Sequence, residues 1–233
     1  MIKKFMKDVV PTLTDLRGGE KVFWRAFTDN SLVHCSIQNV LELGVYRLYD
    51  SIPKDFPGQS TKILIALCSF YNADKFVSLD IDSECQKTID HCQDWCKKRG
   101  FSFDNHKFVA ENSIHFDVAA EFPDGVDLMF LDTNHDDNYP EKKLGLAGSG
   151  GTGMTYRELC YYAPHLSEHG RMFVHDTKNY YVPKGYGVNT EGAIRRFLDD
   201  NDGFVFREHA PNDNGLGELY RKGSPLDKLY GDK

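Results

Sequence analysis

Two strand-like stretches, Asn39-Val40-Leu41-Glu42-Leu43-Gly44 and Lys75-Phe76-Val77-Ser78-Leu79-Asp80, stand on either side of a helix pattern over 60–70. This order predicts a strand, a glycine turn, a helix and a second strand that ends in an acid. Ligands of open parallel sheets bind at the carboxyl ends of the strands, where a glycine lets the backbone approach them. An acid after the second strand typically binds the ribose hydroxyls. The stretch therefore predicts a nucleoside pocket beside Gly44 and Asp80.

The composition is that of a globular protein: 233 residues, 40% hydrophobic and 27% charged. It fits one large domain over 37–233, preceded by a helical extension over 1–36. No apolar run reaches the ~18 residues of a membrane span, and the basic N-terminus lacks the apolar region of a signal peptide. We therefore expect a cytoplasmic protein. The apolar extension is a candidate contact for a homodimer.

The net charge of −7 argues against general nucleic-acid binding, which depends on lysine and arginine contacts to phosphates. Three of the six cysteines, Cys85, Cys92 and Cys96, are spaced so that they share one helix face with Thr88 and Trp95. That pattern allows a metal cluster or a helix face packed on a sheet. The lack of a CxxC pair favours the packed face.

Further strand and helix patterns alternate along the rest of the chain. They predict strands over 106–110, 126–131 and 171–174, a helix from about Asn189, and a closing antiparallel pair over 204–207 and 218–221. Alternation of this kind predicts a parallel sheet with helices on both faces.

Two segments interrupt this alternation. Residues 45–57 are predicted to form a loop between the first strand and the first helix. The glycine-rich segment 144–153 has two interpretations, a phosphate-binding loop or a flexible loop. The flexible loop is favoured, since the lysine and preceding strand of a phosphate-binding loop are missing. Thr155-Tyr156-Arg157-Glu158 has the pattern of a capping box, so a helix is expected to begin there and to end near Leu166.

The order of elements over 37–222 resembles the class I S-adenosylmethionine-dependent methyltransferases. The resemblance implies an α/β, Rossmann-like three-layer sandwich with a seven-stranded, mostly parallel sheet whose last strand is antiparallel. Glu42-Leu43-Gly44 is similar to the glycine motif under the methionine part of the cofactor, and Asp80 to the ribose acid. Glu111-Asn112-Ser113 is similar to the segment beside the adenine. The cofactor-binding residues implied in this way are Glu42, Gly44, Ser60, Asp80, Asn112, Ser113 and Asp132.

Two motifs point to a subgroup of that family. Phe130-Leu131-Asp132-Thr133-Asn134-His135 and Phe173-Val174-His175-Asp176-Thr177 are similar to segments of macrocin and rhamnosyl O-methyltransferase-like proteins, and distantly to catechol O-methyltransferase. In such enzymes acids after strands four and five hold a divalent metal. The implied ligands are Asp132 and Asp176, with His175, Thr177 or a residue of the inserted loop completing the shell around Mg²⁺ or Ca²⁺.

The chemistry expected at these residues is methyl transfer to an oxygen. A metal that binds the acceptor hydroxyl lowers its pKa and orients it. His135 is placed for general-base work because an unperturbed imidazole has a pKa of about 6.5. Asp132 and His135 are the predicted catalytic residues.

We therefore predict an S-adenosylmethionine-dependent O-methyltransferase acting on a small molecule such as a sugar, a phenol or a natural product. One alternative is an NAD(P)-dependent oxidoreductase, which would share the strand-glycine-helix-acid unit but usually carries a G-x-G-x-x-G motif that this chain lacks. A second alternative is a non-catalytic, nucleoside-binding member of the fold. Glu42-Leu43-Gly44 with Asp132 and His175-Asp176 favours methyl transfer over the oxidoreductase. The non-catalytic alternative predicts that Asp132 and Asp176 point apart or are capped by helix amides.

Overall fold

The computed structural model describes residues 37–45, 59–133, 150–175, 177, 190–209 and 215–231. The strands in these ranges are β1 Asn39–Leu43, β2 Lys75–Asp80, β3 His106–Ala110, β4 Val126–Leu131, β5 Leu166–His175, β6 Phe204–Glu208 and β7 Leu216–Arg221. The α-helices are α1 Gln59–Tyr71, α2 Cys85–Lys97, α3 Val118–Glu121, α4 Gly150–Tyr162, α5 Thr190–Asp200 and α6 Pro225–Gly231. Two short 3-10 helices cover Ser113–His115 and Ala163–His165.

The strands form one seven-stranded sheet in the order β3-β2-β1-β4-β5-β7-β6. Neighbouring strands from β3 to β5 are parallel, whereas β7 runs antiparallel to both β5 and β6. The predicted fold class, a Rossmann-like and mostly parallel sheet with an antiparallel last strand, is confirmed.

Alternate residues of the central strands pack on opposite faces of the sheet. On β4, Leu128 and Phe130 join the core that includes α1 and α2, and Met129 and Leu131 join the core that includes α4 and α5. A parallel strand that is covered on both faces needs this nearly continuous apolar sequence.

The cysteine helix α2 buries the face that its spacing predicts. Cys85, Thr88, Ile89, Cys92, Trp95 and Cys96 are its buried residues. The cysteines are free thiols, and burial raises the pKa of Cys92 well above its ordinary value and that of Cys96 to about 12. Such thiols act as small apolar side chains, so the packed-face interpretation is confirmed.

Two predicted boundaries around α4 are wrong. The helix begins at Gly150, so residues 150–153 form its first turn instead of a loop, and Thr155 and Glu158 lie inside it instead of capping it. The helix ends at Tyr162, and β5 begins at Leu166 instead of Arg171. Leu166 pairs with Val126 and Arg171 pairs with Leu128, so the register shifts between these pairs and the first part of β5 is irregular. A regular strand pattern therefore starts only at Arg171 in the sequence.

Several predicted features lie outside the described residues: the extension over 1–36, most of 45–57, the first part of the glycine-rich segment, His135 and Asp176. In the described ranges, no helix combines the length and the apolar character that crossing a membrane requires.

Candidate cofactor site at the carboxyl edge of the sheet

The strand register brings the predicted site residues to one edge of the sheet. Leu43 pairs with Leu79 of β2 and with Leu131 of β4, and Leu131 pairs with Val174 of β5. The residues that follow these positions, Gly44, Asp80, Asp132 and His175, therefore stand side by side. Backbone bonds continue the pairing, since Gly44 N donates to Leu79 O at 2.9 Å and Asp132 N donates to Leu43 O at 2.8 Å.

Gly44 allows the ends of β1 and β4 to approach closely. Its φ of +85° is a left-handed conformation that side chains disfavour. A Cβ at this position would lie 2.1 Å from the carbonyl oxygen of Asp132 and 2.8 Å from the nitrogen of Thr133. The position therefore accepts only glycine without a shift of the backbone around Asp132.

Asp80 is held by backbone donors at the end of β2. Its Oδ2 accepts from Val45 N at 2.9 Å, and its Oδ1 accepts from Asp82 N at 2.9 Å. Each carboxylate oxygen keeps a second lone pair for a further donor. The carboxylate is thus oriented before any ligand binds.

Ile81, beside Asp80, was not among the residues predicted from the sequence. It is 55% exposed, and among the described residues it is the one large apolar side chain that is exposed. The exposed side chain of Ile81 could pack on an apolar ring of a ligand, while the oriented carboxylate of Asp80 accepts from hydroxyls next to that ring. Its signal in the sequence was an isoleucine directly after a strand-ending acid.

Glu42 is buried behind this edge and receives only neutral donors. Its carboxylate accepts from Ser60 Oγ at 2.8 Å, from Thr61 Oγ1 at 2.9 Å and from Ser78 Oγ at 2.7 Å. Burial raises the pKa of Glu42 to about 7, although the three hydroxyls lower it, and the charge of Asp132 raises it further. Ser60, a predicted cofactor-binding residue, therefore contacts Glu42, and its link to the candidate site runs through that carboxylate.

Asp132 and His175 form a pair at the ends of β4 and β5. His175 Nδ1 lies 3.2 Å from Asp132 Oδ1, and both side chains are partly exposed, at 27% and 37%. Thr177, a candidate for the metal shell, donates instead to Glu208 Oε2 at 2.9 Å. The described residues contain no cluster of three or more potential metal ligands, and the third predicted ligand, Asp176, lies outside them.

The side chains of Asn112 and Ser113 are engaged inside the protein. Asn112 Oδ1 accepts from Ile114 N at 3.2 Å and caps the 3-10 helix, while Ser113 Oγ donates to Glu158 Oε1 at 2.7 Å. Glu158 Oε2 also accepts from Thr133 Oγ1 at 2.8 Å. Glu158 was assigned to a helix cap from the sequence. Its signal was a carboxylate on the buried stripe formed by Thr155, Leu159 and Tyr162.

A cavity of about 470 Å³ lies at the opposite edge of the sheet. Its lining includes Pro123 and Gly125 before β4, Pro164 before β5, Leu166 at the start of β5 and Arg221 at the end of β7. This cavity contains none of the predicted site residues. The carboxyl edge is the better candidate site, because four predicted residues adjoin there.

No protein-family model matches the chain, and no curated protein matches it in sequence. Several solved structures are similar in fold. Rv0187 from MTB, solved with a cofactor bound, is 11% identical with a TM-score of 0.57, and the match covers 94% of this chain and 95% of that chain. CalS11, a TDP-rhamnose 3'-O-methyltransferase of calicheamicin biosynthesis, is 16% identical with a TM-score of 0.54, covering 95% of this chain and 87% of that chain.

A third similar structure is a Clostridium thermocellum protein described as an rRNA methylase. It is 12% identical with a TM-score of 0.52, covering 88% of this chain and 96% of that chain. Structural matches at sequence identities this low establish a common fold, and they do not identify the substrate. The strand order, the antiparallel last strand and these similarities show that the chain has the fold of the class I S-adenosylmethionine-dependent methyltransferases.

Proposed function

We propose that the chain binds S-adenosylmethionine and transfers its methyl group to a hydroxyl of a small molecule, such as a sugar, a phenol or a natural product. The observation that carries the proposal is the register of β2, β1, β4 and β5. It sets a glycine turn and an oriented carboxylate, Gly44 and Asp80, beside a carboxylate and imidazole pair, Asp132 and His175.

The described residues fit the cofactor. The absent Cβ of Gly44 lets the ends of β1 and β4 lie close together, the second lone pairs of the Asp80 oxygens suit the ribose hydroxyls, and exposed Ile81 suits the purine ring. S-adenosylmethionine supplies an electrophilic methyl group on a sulfonium. Glu42, behind the edge, contributes negative charge near the cationic part of the cofactor when it is ionised.

Asp132 and His175 are the groups that would handle the acceptor. The 3.2 Å separation lets the carboxylate orient the imidazole, and an oriented imidazole can take the proton from a hydroxyl. His135 stays a candidate general base, although it lies outside the described residues. Close positioning of the acceptor oxygen supplies a large part of the rate in such displacements.

A divalent metal is the second way to activate the acceptor. Neighbouring ligands of an octahedral Mg²⁺ at about 2.1 Å lie about 3 Å apart, so the 3.2 Å between Asp132 and His175 also suits two ligands of one ion. Asp176 would be the third ligand. A metal at this place would lower the pKa of a bound hydroxyl.

Other activities of the fold are the competing proposals. The similarity to an rRNA methylase raises RNA as a substrate, but the net charge of −7 disfavours phosphate contacts. The similarity to a sugar O-methyltransferase supports a small hydroxylated acceptor. An NAD(P)-dependent enzyme or a non-catalytic nucleoside binder would leave the Asp132–His175 pair without a role. A homodimer through 1–36 and a cytoplasmic location stay predictions.

The test of the proposal is the variant Asp132→Asn. We expect turnover with hydroxylated acceptors to fall by about 100-fold or more, because the proton or metal site is lost, while affinity for S-adenosylhomocysteine changes less than about threefold. Asp124→Asn, which removes an exposed carboxylate at the opposite edge, is the matched control. Equal losses of turnover and affinity would limit Asp132 to cofactor binding. Assays with and without Mg²⁺ separate the two routes of activation.

A further inference from the structure

We propose that Glu158 is a positioning residue that ties the segment after β3 to the segment after β4 and thereby sets the affinity for the nucleoside part of the cofactor. The proposal rests on the proposed function. It assigns a role to a helix residue that lies far in sequence from every motif of the site.

The geometry of Glu158 is that of a two-armed bridge. The side chain is fully buried in α4, and each carboxylate oxygen accepts one hydroxyl: Ser113 Oγ at 2.7 Å and Thr133 Oγ1 at 2.8 Å. Tyr162, one turn further along the same helix, donates to the carbonyl oxygen of Ser113. Ser113 is therefore held through both its side chain and its backbone.

The two arms join the segments that follow β3 and β4. In the strand order, β2 and β1 lie between β3 and β4, and these inner strands carry Asp80 and Gly44 at their ends. Ser113 follows β3, and Thr133 follows Asp132 at the end of β4. One carboxylate thus brings together two segments whose strands lie three positions apart in the sheet. A shift of either segment would move backbone at the edge that carries Asp80 and Gly44.

Stability alone does not explain a carboxylate at this place. Burial raises the pKa of Glu158 to about 7, and only neutral hydroxyls oppose that effect. A buried carboxylate without a cation is costly, and an apolar residue of similar volume is often the more stable choice. A carboxylate can accept hydrogen bonds from both hydroxyls at once. A glutamine has one acceptor oxygen, and its NH₂ group is a donor, so one of the two hydroxyls would have to accept a hydrogen bond instead of donating one.

The experiment measures S-adenosylhomocysteine affinity by calorimetry for the wild type, Glu158→Gln, Ser113→Ala and their double variant. We expect each single variant to weaken binding roughly three- to tenfold, because Ser113→Ala loses one hydrogen bond of the bridge and Glu158→Gln reverses one. The double variant should bind no more weakly than Glu158→Gln alone, because the Ser113 hydroxyl acts through Glu158. Independent, multiplying effects would overturn the proposal, as would wild-type affinity in Glu158→Gln.

Two further variants separate positioning from folding. Thr133→Ser keeps the hydroxyl and should bind like the wild type, whereas Thr133→Val should bind like Glu158→Gln. Glu218→Gln removes a buried carboxylate of β7 outside the bridge, so it should lower the melting temperature and leave affinity within about twofold. If affinity instead follows melting temperature in all variants, the role is structural and the proposal fails. No binding by the wild type would overturn the proposed function as well.

Discussion

Two fully buried carboxylates in the same sheet, Glu42 and Glu218, have pKa values that are shifted in opposite directions. Glu42 of β1 receives three neutral hydroxyl donors, and burial raises its pKa to about 7. Burial also raises the pKa of Glu218 on β7, but Arg171 and His209 outweigh it, so this pKa lies below its ordinary value. Arg171 Nε is 3.2 Å and His209 Nε2 is 2.6 Å from the Glu218 carboxylate.

The difference separates the two halves of the sheet. In the β5–β7 half, a cationic partner makes the buried charge part of the packing between strands. In the β1–β2 half, hydroxyls satisfy the hydrogen bonds of Glu42 but leave its ionised form costly. A costly carboxylate beside the candidate cofactor site is what a binding function would retain, because perturbed groups concentrate at such sites.

The largest expected effect comes from breaking the cationic pair. Arg171→Met leaves Glu218 buried with only His209 and the Tyr230 hydroxyl as its partners among the described residues, and removal of one partner of a buried ion pair typically costs ~3–5 kcal/mol of unfolding free energy. Urea unfolding at pH 8 measures it. The double variant Arg171→Met with Glu218→Met should regain most of the loss. A single variant as stable as the wild type would show that the pair does not stabilise this half.

A smaller effect, with a definite sign, is expected from Glu42→Gln. The folded pKa of Glu42, about 7, exceeds the ordinary value of 4.5, so its contribution to wild-type stability is greatest at low pH and is lost as pH rises from about 4.5 to about 7. Relative to the wild type, the variant should therefore gain up to about 3 kcal/mol between pH 5 and pH 8.

The comparison with Glu218→Gln sharpens this result. Because the folded pKa of Glu218 is depressed, its contribution is present above the ordinary pKa and is lost as pH falls. The two variants should thus show opposite trends with pH in chemical unfolding. Parallel trends would contradict the contrast between the halves.

The smallest effect is expected from Ser60→Ala, which removes one of the three hydroxyl donors of Glu42. The loss should be about 1 kcal/mol of unfolding free energy above pH 7, where the carboxylate is ionised. Ser102→Ala is the control, because its hydroxyl makes an exposed bond of 3.4 Å to Asp104. Equal stability of the two variants would remove Ser60 from the support of Glu42.

The sequence predicted the elements whose pattern is local. The bounds of β1, β2, β3 and β4 and the buried face of α2 agree with the prediction, because apolar runs and helical spacing depend on near neighbours. The start of β5 was missed, since an irregular stretch separates its pairings at Leu166 and Arg171. Long-range pairing decided that boundary.

The site was predictable only in part for the same reason. Gly44, Asp80, Asp132 and His175 were predicted from strand ends, and parallel register brings such ends to one edge of the sheet. The bonds of Glu158 join it to residues 45 and 25 positions away in the chain. The bond from Thr177 to Glu208 spans 31 positions. Sequence patterns of a few residues carry no signal for such contacts.

Calorimetric titration of the purified chain with S-adenosylhomocysteine, beside the variant Asp80→Ala, tests the proposed cofactor site. We expect micromolar binding by the wild type and roughly tenfold weaker binding by the variant. The variant should keep its folded circular-dichroism spectrum, because the proposed role of Asp80 is to accept hydrogen bonds from the ribose hydroxyls at the surface of the sheet edge. Absence of binding by the wild type, or equal affinity of the two proteins, would contradict the proposed site.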